Sequence, residues 1–142
     1  MKQHFFENNP ALDTDSKWVA LVGNPNCGKT AIFNLLTGLN QKVSNYPGVT
    51  VEKKIGLVHS ENLSYKVLDL PGTYSLQPES FDEEIVSEQV TDWAKGESPP
   101  AIIISVVDAS NLARNLFLTS QLLDLNIPVI VALNMMDLLN DG

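Results

Sequence analysis

The residues best suited to chemistry fall in short stretches, and the first is "GNPNCGKT" (23–30). It fits the spacing GxxxxGK[ST], after an apolar "WVALV" and before "AIFNLL". A strand before and a helix after make that spacing a phosphate-binding loop. Backbone amides of the loop Gly23, Asn24, Pro25, Asn26, Cys27, Gly28 and the following helix start would form an anion nest, Pro25 contributing none. Lys29 would bridge the β- and γ-phosphates, and Thr30 would place its hydroxyl on Mg²⁺. "DLPG" (69–72) ends a later strand-like run: Asp69 would reach Mg²⁺ through water and the Gly72 amide would meet the γ-phosphate, with Leu70 and Pro71 between them. In "PGVT" (47–50), Gly48 and Val49 lead to Thr50, the natural second Mg²⁺ hydroxyl, with Ser44 and Thr73 as competitors.

"NMMD" (134–137) selects the base. A carboxylate at Asp137 accepts from guanine N1–H and N2–H₂ together. Adenine offers no such pair, and a site built this way rejects the wrong base by roughly 10⁴-fold. Asn134 would tie base and phosphate loop together across Met135 and Met136. GTP and GDP are therefore the expected ligands, not ATP.

Two catalytic parts are missing. The position after DLPG, where many GTPases carry a water-orienting glutamine, is Thr73, followed by Tyr74. The single arginine, Arg114, lies in a later helix, where a surface or inter-helix contact is expected. Asn26 has two readings. Its carbonyl oxygen would hold K⁺, whose charge would act where an arginine otherwise does; or it caps the loop through a backbone hydrogen bond. Cys27 shares the loop, its side chain expected to point away from the nucleotide. A thiol at a helix start can be acidified, and alkylation there would then block binding.

Elements that position these residues follow from periodicity. "KWVALVG" (17–23), "AIIISVVD" (101–108) and "IPVIVALN" (127–134) read as strands buried on both faces. "VEKKIGLVH" (51–59) and "LSYKVLDL" (63–70) alternate with period two and are joined by a short hairpin turn. Helices are predicted at 29–38, closed by Gly38, and at 80–96, with Ser80 and Glu83 as a capping box and Phe81, Ile85, Val90 and Trp93 inward. A third spans 110–126, with Leu112, Leu116, Phe117, Leu122 and Leu123 inward. Residues 40–50 read as a loop. The expected fold is α/β: a P-loop NTPase G domain, mostly parallel, with helices on both faces and one antiparallel strand. Ligands on such sheets sit at the C-terminal strand ends.

At 142 residues a single domain is expected, over 17–142, with residues 1–16 a flexible, polar extension whose Phe5 and Phe6 could dock elsewhere. Net charge is −8, which speaks against a nucleic-acid surface. One cysteine excludes an internal disulfide and a cysteine zinc site, and His4 and His59 stand apart. No run reaches the ~20 apolar residues of a spanning helix.

"GNPNCGKT", "NYPGVTVEKKIG", "DLPGTYSL" and "VVDASNLARNLFLTSQLLDLNIPVIVALNMMD" together resemble the GTPase domain of the FeoB ferrous iron transport family, over residues 17–137. That resemblance implies GTP/GDP cycling with slow hydrolysis, Mg²⁺ dependence, and K⁺ activation through Asn26. It implies switches at 40–50 and 70–84 and a membrane transport domain in the same polypeptide, at the cytoplasmic face of the bacterial inner membrane, with a homo-oligomer as a further arrangement. Tyr46 stands where the family often has tryptophan. The family domain continues beyond NxxD with a helix, a strand and a further base-contacting loop, so incomplete base contacts and an exposed sheet edge are expected here. The alternatives are a soluble ribosome- or tRNA-associated assembly GTPase, which RNA stimulation would reveal, and a non-hydrolysing nucleotide sensor, which would release no phosphate.

Overall fold

Strand β1 (Trp18–Gly23) is buried at every residue after Trp18, because it lies mid-sheet with helices on either side. The computed structural model describes residues 17–38 and 40–139; the expected extension 1–16, with Phe5, Phe6 and His4, lies outside the described residues. The other elements are α1 (Lys29–Thr37), β2 (Gln41–Asn45), β3 (Glu52–Ser60), β4 (Leu63–Asp69), α2 (Phe81–Ala94), β5 (Ile102–Asp108), α3 (Leu112–Leu123) and β6 (Val129–Asn134).

The sheet order is β2-β3-β4-β1-β5-β6. Strands β4, β1, β5 and β6 pair in parallel, and β3 runs against both β2 and β4. This is the mostly parallel sheet with one antiparallel strand. Alternation along β1 divides the core. Ala20 and Val22 join Leu68, Leu70 and Ile103 beneath Val86, Val90 and Trp93 of α2 and Leu118 and Leu122 of α3. Leu21 faces the other way, with Val67 and Val106, against Phe33 of α1. Full burial of each such Val, Leu or Phe contributes about 1.5–3 kcal/mol.

Four expectations need correction. Residues 41–45 form strand β2, not loop, with Gln41 opposite Gly56 and Asn45 opposite Glu52. "QKVSN" has a single apolar residue and is mostly exposed, so backbone pairing to β3 holds this edge strand rather than burial. In α2 the inward residues are Glu83, Val86, Val90 and Trp93. Phe81 lies half a turn round from Val90 and is 52% exposed.

In α3 the inward stripe is Asn115, Leu118, Thr119 and Leu122, while Leu112, Leu116, Phe117 and Leu123 face outward. The two polar residues can be buried because each finds partners. Asn115 Oδ1 accepts from the Asp108 amide (3.1 Å), its Nδ2 donates to Asn111 O (2.9 Å), and Thr119 Oγ1 lies 2.8 Å from Ser105 Oγ on β5. Strand β6, expected to be buried, is instead a sheet edge among the described residues, and with a strand neighbour on one side only it leaves Ile130, Val131 and Leu133 exposed. Among those residues no helix is long and apolar enough to cross a membrane.

Candidate nucleotide site

Parallel register brings the chemistry to one edge. Leu21 of β1 is level with Asp69 at the end of β4, Gly23 with Val106 of β5, and Asp108 at the end of β5 with Asn134 at the end of β6. The loop 23–30, the DLPG turn and the NMMD turn therefore leave the sheet side by side. Asn26 (φ 63°) and Gly28 (φ 86°) take left-handed backbone, which curls the loop. Gly28 is also the N-cap of α1 and has no side chain to cap it, so the first amides of the helix stay available to an anion.

Lys29 Nζ donates to Asp69 Oδ1, and both side chains are buried. The pair joins the phosphate loop to the DLPG turn. Gly72 closes the same gap. The Thr73 amide donates to Gly23 O (3.0 Å), and a Cβ on Gly72 would stand 2.9 Å from Pro25 Cα. Across β5, Asn134 Nδ2 donates to Cys27 O (3.0 Å), which ties the NMMD turn to the loop 23–30. Met135, left-handed at φ 59°, lays its terminal methyl toward Gly28. Asp137 is exposed on a short 3₁₀ turn, Met136–Leu138. Thr30 is exposed in the first turn of α1.

Thr50 and Gly48 are exposed and Val49 half-buried, in the segment between β2 and β3. Asn24 is buried, and neither atom of its amide has a hydrogen-bond partner among the described residues. Cys27 is buried beside Phe33 and Leu21, and burial pushes its thiol pKa up, so the acidified, alkylatable thiolate is not what the fold builds. Arg114 stacks on the Tyr74 ring at 4.0 Å, a cation–π contact that joins α3 to the segment after DLPG.

Thr73 and Glu83 carry a role that the spacing did not reveal. Thr73 is wholly buried, and its Oγ1 lies 2.7 Å from both Glu83 Oε2 and Ser75 O. Its hydroxyl is engaged there rather than free to orient a water. Ser80 Oγ accepts from the Glu83 amide (3.2 Å), half of the expected capping box. The Glu83 carboxylate does not return to the Ser80 amide; it accepts from the Tyr74 amide (3.0 Å) and the Glu79 amide (3.4 Å). It thereby fastens residues 73–80 onto α2. The Thr73 hydrogen bond, reinforced by the Tyr74 amide, holds the Glu83 carboxyl below its ordinary range. A carboxyl lowered on folding stabilises the protein above its unfolded pKa, and that contribution fades as pH falls through the lower folded value. Glu83→Ala should cost about 2 kcal/mol in urea unfolding at pH 7, since the Thr73 hydroxyl and the Tyr74 and Glu79 amides lose their acceptor. The difference from wild type should shrink below about pH 4. A pH-independent difference would refute the assignment.

Fold and edge together define a P-loop G domain: a nested loop before a helix, a DxxG turn against it and an NxxD turn tied to it. The family profile "Ferrous iron transport protein B" matches residues 17–142. The chain belongs to that family. It is 49% identical over 123 residues to the Fe(2+) transporter FeoB of Leptospira biflexa, covering 87% of this chain and 17% of the relative. Among solved structures, the cytosolic domain of L. pneumophila FeoB is 50% identical, with a TM-score of 0.77 over 85% of this chain and 51% of that one. A GDP-bound variant of the S. thermophilus FeoB domain is 48% identical, with a TM-score of 0.76 over 87% of this chain and 45% of that one. The chain spans between 14% and 17% of the length of such curated relatives.

Proposed function

We propose that this chain binds and slowly hydrolyses GTP, and that its nucleotide state regulates or drives Fe(II) passage through a membrane domain of the same polypeptide, at the cytoplasmic face of the bacterial inner membrane. The observation that carries the nucleotide reading is the double tie around the loop, Lys29 to Asp69 and Asn134 to Cys27 O. Gly23, Asn24, Asn26, Cys27 and Gly28 would cradle the phosphates, with Pro25 shaping the loop. Lys29 would exchange Asp69 for the β- and γ-phosphates. Gly72, already packed on Pro25, would offer its amide to the γ-phosphate with Pro71 beside it, while the Leu70 side chain, expected at the site, stays in the core. Asn134, Met135, Met136 and Asp137 would enclose guanine.

The residues fit Mg²⁺. The ammonium of Lys29 rests on the Asp69 carboxylate, so this buried acid is already balanced by a cation, and the Thr30 hydroxyl is exposed on the turn beside it. Thr30 and Asp69, with Thr50 once its segment approaches, would hold the ion, which neutralises phosphate charge when bound. Asn26 fits K⁺. Its side chain is exposed on the left-handed turn of the loop, so the amide oxygen is open to a cation.

Phosphate release in single-turnover GTP hydrolysis with Mg²⁺, in KCl against NaCl, tests this function. Wild type should hydrolyse at least about tenfold faster in KCl, and Asn26→Ala should lose that difference. Equal rates in the two salts would remove the K⁺ role; no phosphate release at all would favour a nucleotide sensor.

A further inference from the structure

The sheet face opposite α1 is unevenly covered. A Cβ on Gly56 of β3 would meet Thr37 and Phe33 of α1, so alternation turns Lys53, Ile55, Leu57 and His59 to the other face. Lys42 and Ser44 of β2, and Ser64, Lys66 and Leu68 of β4, lie directly opposite them and share that face. The apolar cluster under α2 takes in Ile55 from β3 and nothing from β2. Leu57 belongs to neither apolar cluster, yet it is only 7% exposed. Lys53 is buried as well. Beside it lies Tyr46, its ring 5.5 Å from Lys53 Nζ, also buried and with no hydrogen-bond partner for its hydroxyl among the described residues.

The same face is basic in an acidic chain. Lys42, Lys53, Lys66 and His59 lie on it, and no residue that β2, β3 or β4 turns to it is a carboxylate, although the net charge of the chain is −8. The segment before β1 is its complement. Residues 1–16 carry Glu7, Asp13 and Asp15 against Lys2, with Phe5, Phe6 and Leu12 as apolar groups. The chain enters β1 next to this face: the Lys66 amide donates to Lys17 O (3.1 Å), and Trp18 is level with Lys66. At strand spacing, β2 lies about 10 Å from β4. Residues 1–16 extend to about 50 Å, ample to cross it.

We propose that residues 1–16 dock across this face as an intramolecular strap, running from β1 over β4 and β3 toward β2. Asp13 and Asp15, close to the entry into β1, meet Lys66. Glu7, farther out, meets Lys42 or Lys53. Phe5, Phe6 and Leu12 supply apolar cover for Leu57. Exposed ion pairs are weak one by one, so the charges set where the segment lies and apolar burial supplies most of the attachment. The strap gives β2 side-chain contacts that its own exposed residues lack, and so steadies an edge strand otherwise held by backbone pairing.

Carbodiimide coupling, which joins a carboxylate to a lysine amine with loss of water when the two are in contact, tests the placement. Mass spectrometry of the monomeric full chain should find Asp13 or Asp15 joined to Lys66, and Glu7 joined to Lys42 or Lys53. Hydrogen–deuterium exchange reads the effect. Deleting residues 2–16 should speed exchange about tenfold in 41–45 and 52–60 and leave β5 unchanged. The triple variant Glu7→Lys, Asp13→Lys, Asp15→Lys, with the segment intact, should speed it about threefold, and adding Lys42→Glu and Lys66→Glu should bring it back to within about twofold of wild type. Absence of these links, unchanged exchange on deletion, or a triple variant that exchanges like wild type would overturn the strap. Links found only between two chains would give the face to a second copy. Cosedimentation with phosphatidylglycerol vesicles, lost in Lys42→Glu/Lys66→Glu and accompanied by no links, would give it to an anionic membrane surface. Either result would overturn the strap as well.

Discussion

Replacing Gly28 by alanine should lower GDP affinity by about a thousandfold while leaving the fold in place. Three costs converge on this position. The backbone sits at φ 86°, where an L-residue pays about 1–2 kcal/mol. The new Cβ would fall on the side-chain amide of Asn134 and stand 3.1 Å from the Met135 terminal methyl. Asn134 would then release Cys27 O, losing a hydrogen bond of about 1 kcal/mol and with it the tie between the base-reading turn and the phosphate loop. Displacing packed groups adds about 1–3 kcal/mol. Where the free loop relaxes away from these contacts and nucleotide binding must restore them, the sum is about 4 kcal/mol, or three decades in Kd. Calorimetric titration with GDP and Mg²⁺ reads the affinity, and circular dichroism should show the secondary structure retained. Binding within tenfold of wild type would mean that the Asn134–Cys27 tie does not matter to the site.

Asp137→Asn should change which base is bound. A carboxylate accepts from both donors on the guanine edge. The asparagine amide keeps one acceptor and turns a donor toward guanine N2–H₂, so GDP affinity should fall about 10³- to 10⁴-fold. Xanthosine diphosphate carries a carbonyl where guanine has that amino group, so its affinity should rise and the preference invert. Because Asp137 is exposed on a short 3₁₀ turn, the exchange should leave thermal stability within about 0.5 kcal/mol of wild type. Competition between the two nucleotides measures the ratio. An unchanged preference would move base recognition off Asp137.

How much of this was legible along the chain depended on whether the signal was local. The phosphate loop could be read because glycine, lysine and threonine at fixed spacing answer to local backbone needs, and the structure shows the left-handed Gly28 at the predicted helix start. The buried strands β1 and β5 could be read because they are apolar runs bounded by polar turns; β6 has the same composition, yet its place at the sheet edge leaves Ile130, Val131 and Leu133 exposed. Strand β2 could not. Its residues are polar and exposed, and only the presence of β3 beside it makes "QKVSN" extended. The phases of α2 and α3 were misread for a related reason. Counting apolar residues put Phe81, Leu116 and Phe117 inward, but which side of a helix is covered depends on the neighbouring sheet. Asn115 and Thr119 won inward places through hydrogen bonds to β5, to the turn before α3 and within α3 itself.

The identity of the motifs, their order at strand ends and the family they define were determined by the sequence itself, because these depend on residue type and spacing over a few positions. Tertiary structure alone decided that Lys29 meets Asp69, forty residues away, and that Asn134 reaches Cys27 O across β5. It also decided that Glu83 fastens the segment after DLPG and that Tyr46 lies buried with its hydroxyl unpaired. Each of these is a pairing between distant residues, fixed by strand register and by which face a helix covers. No local propensity encodes them.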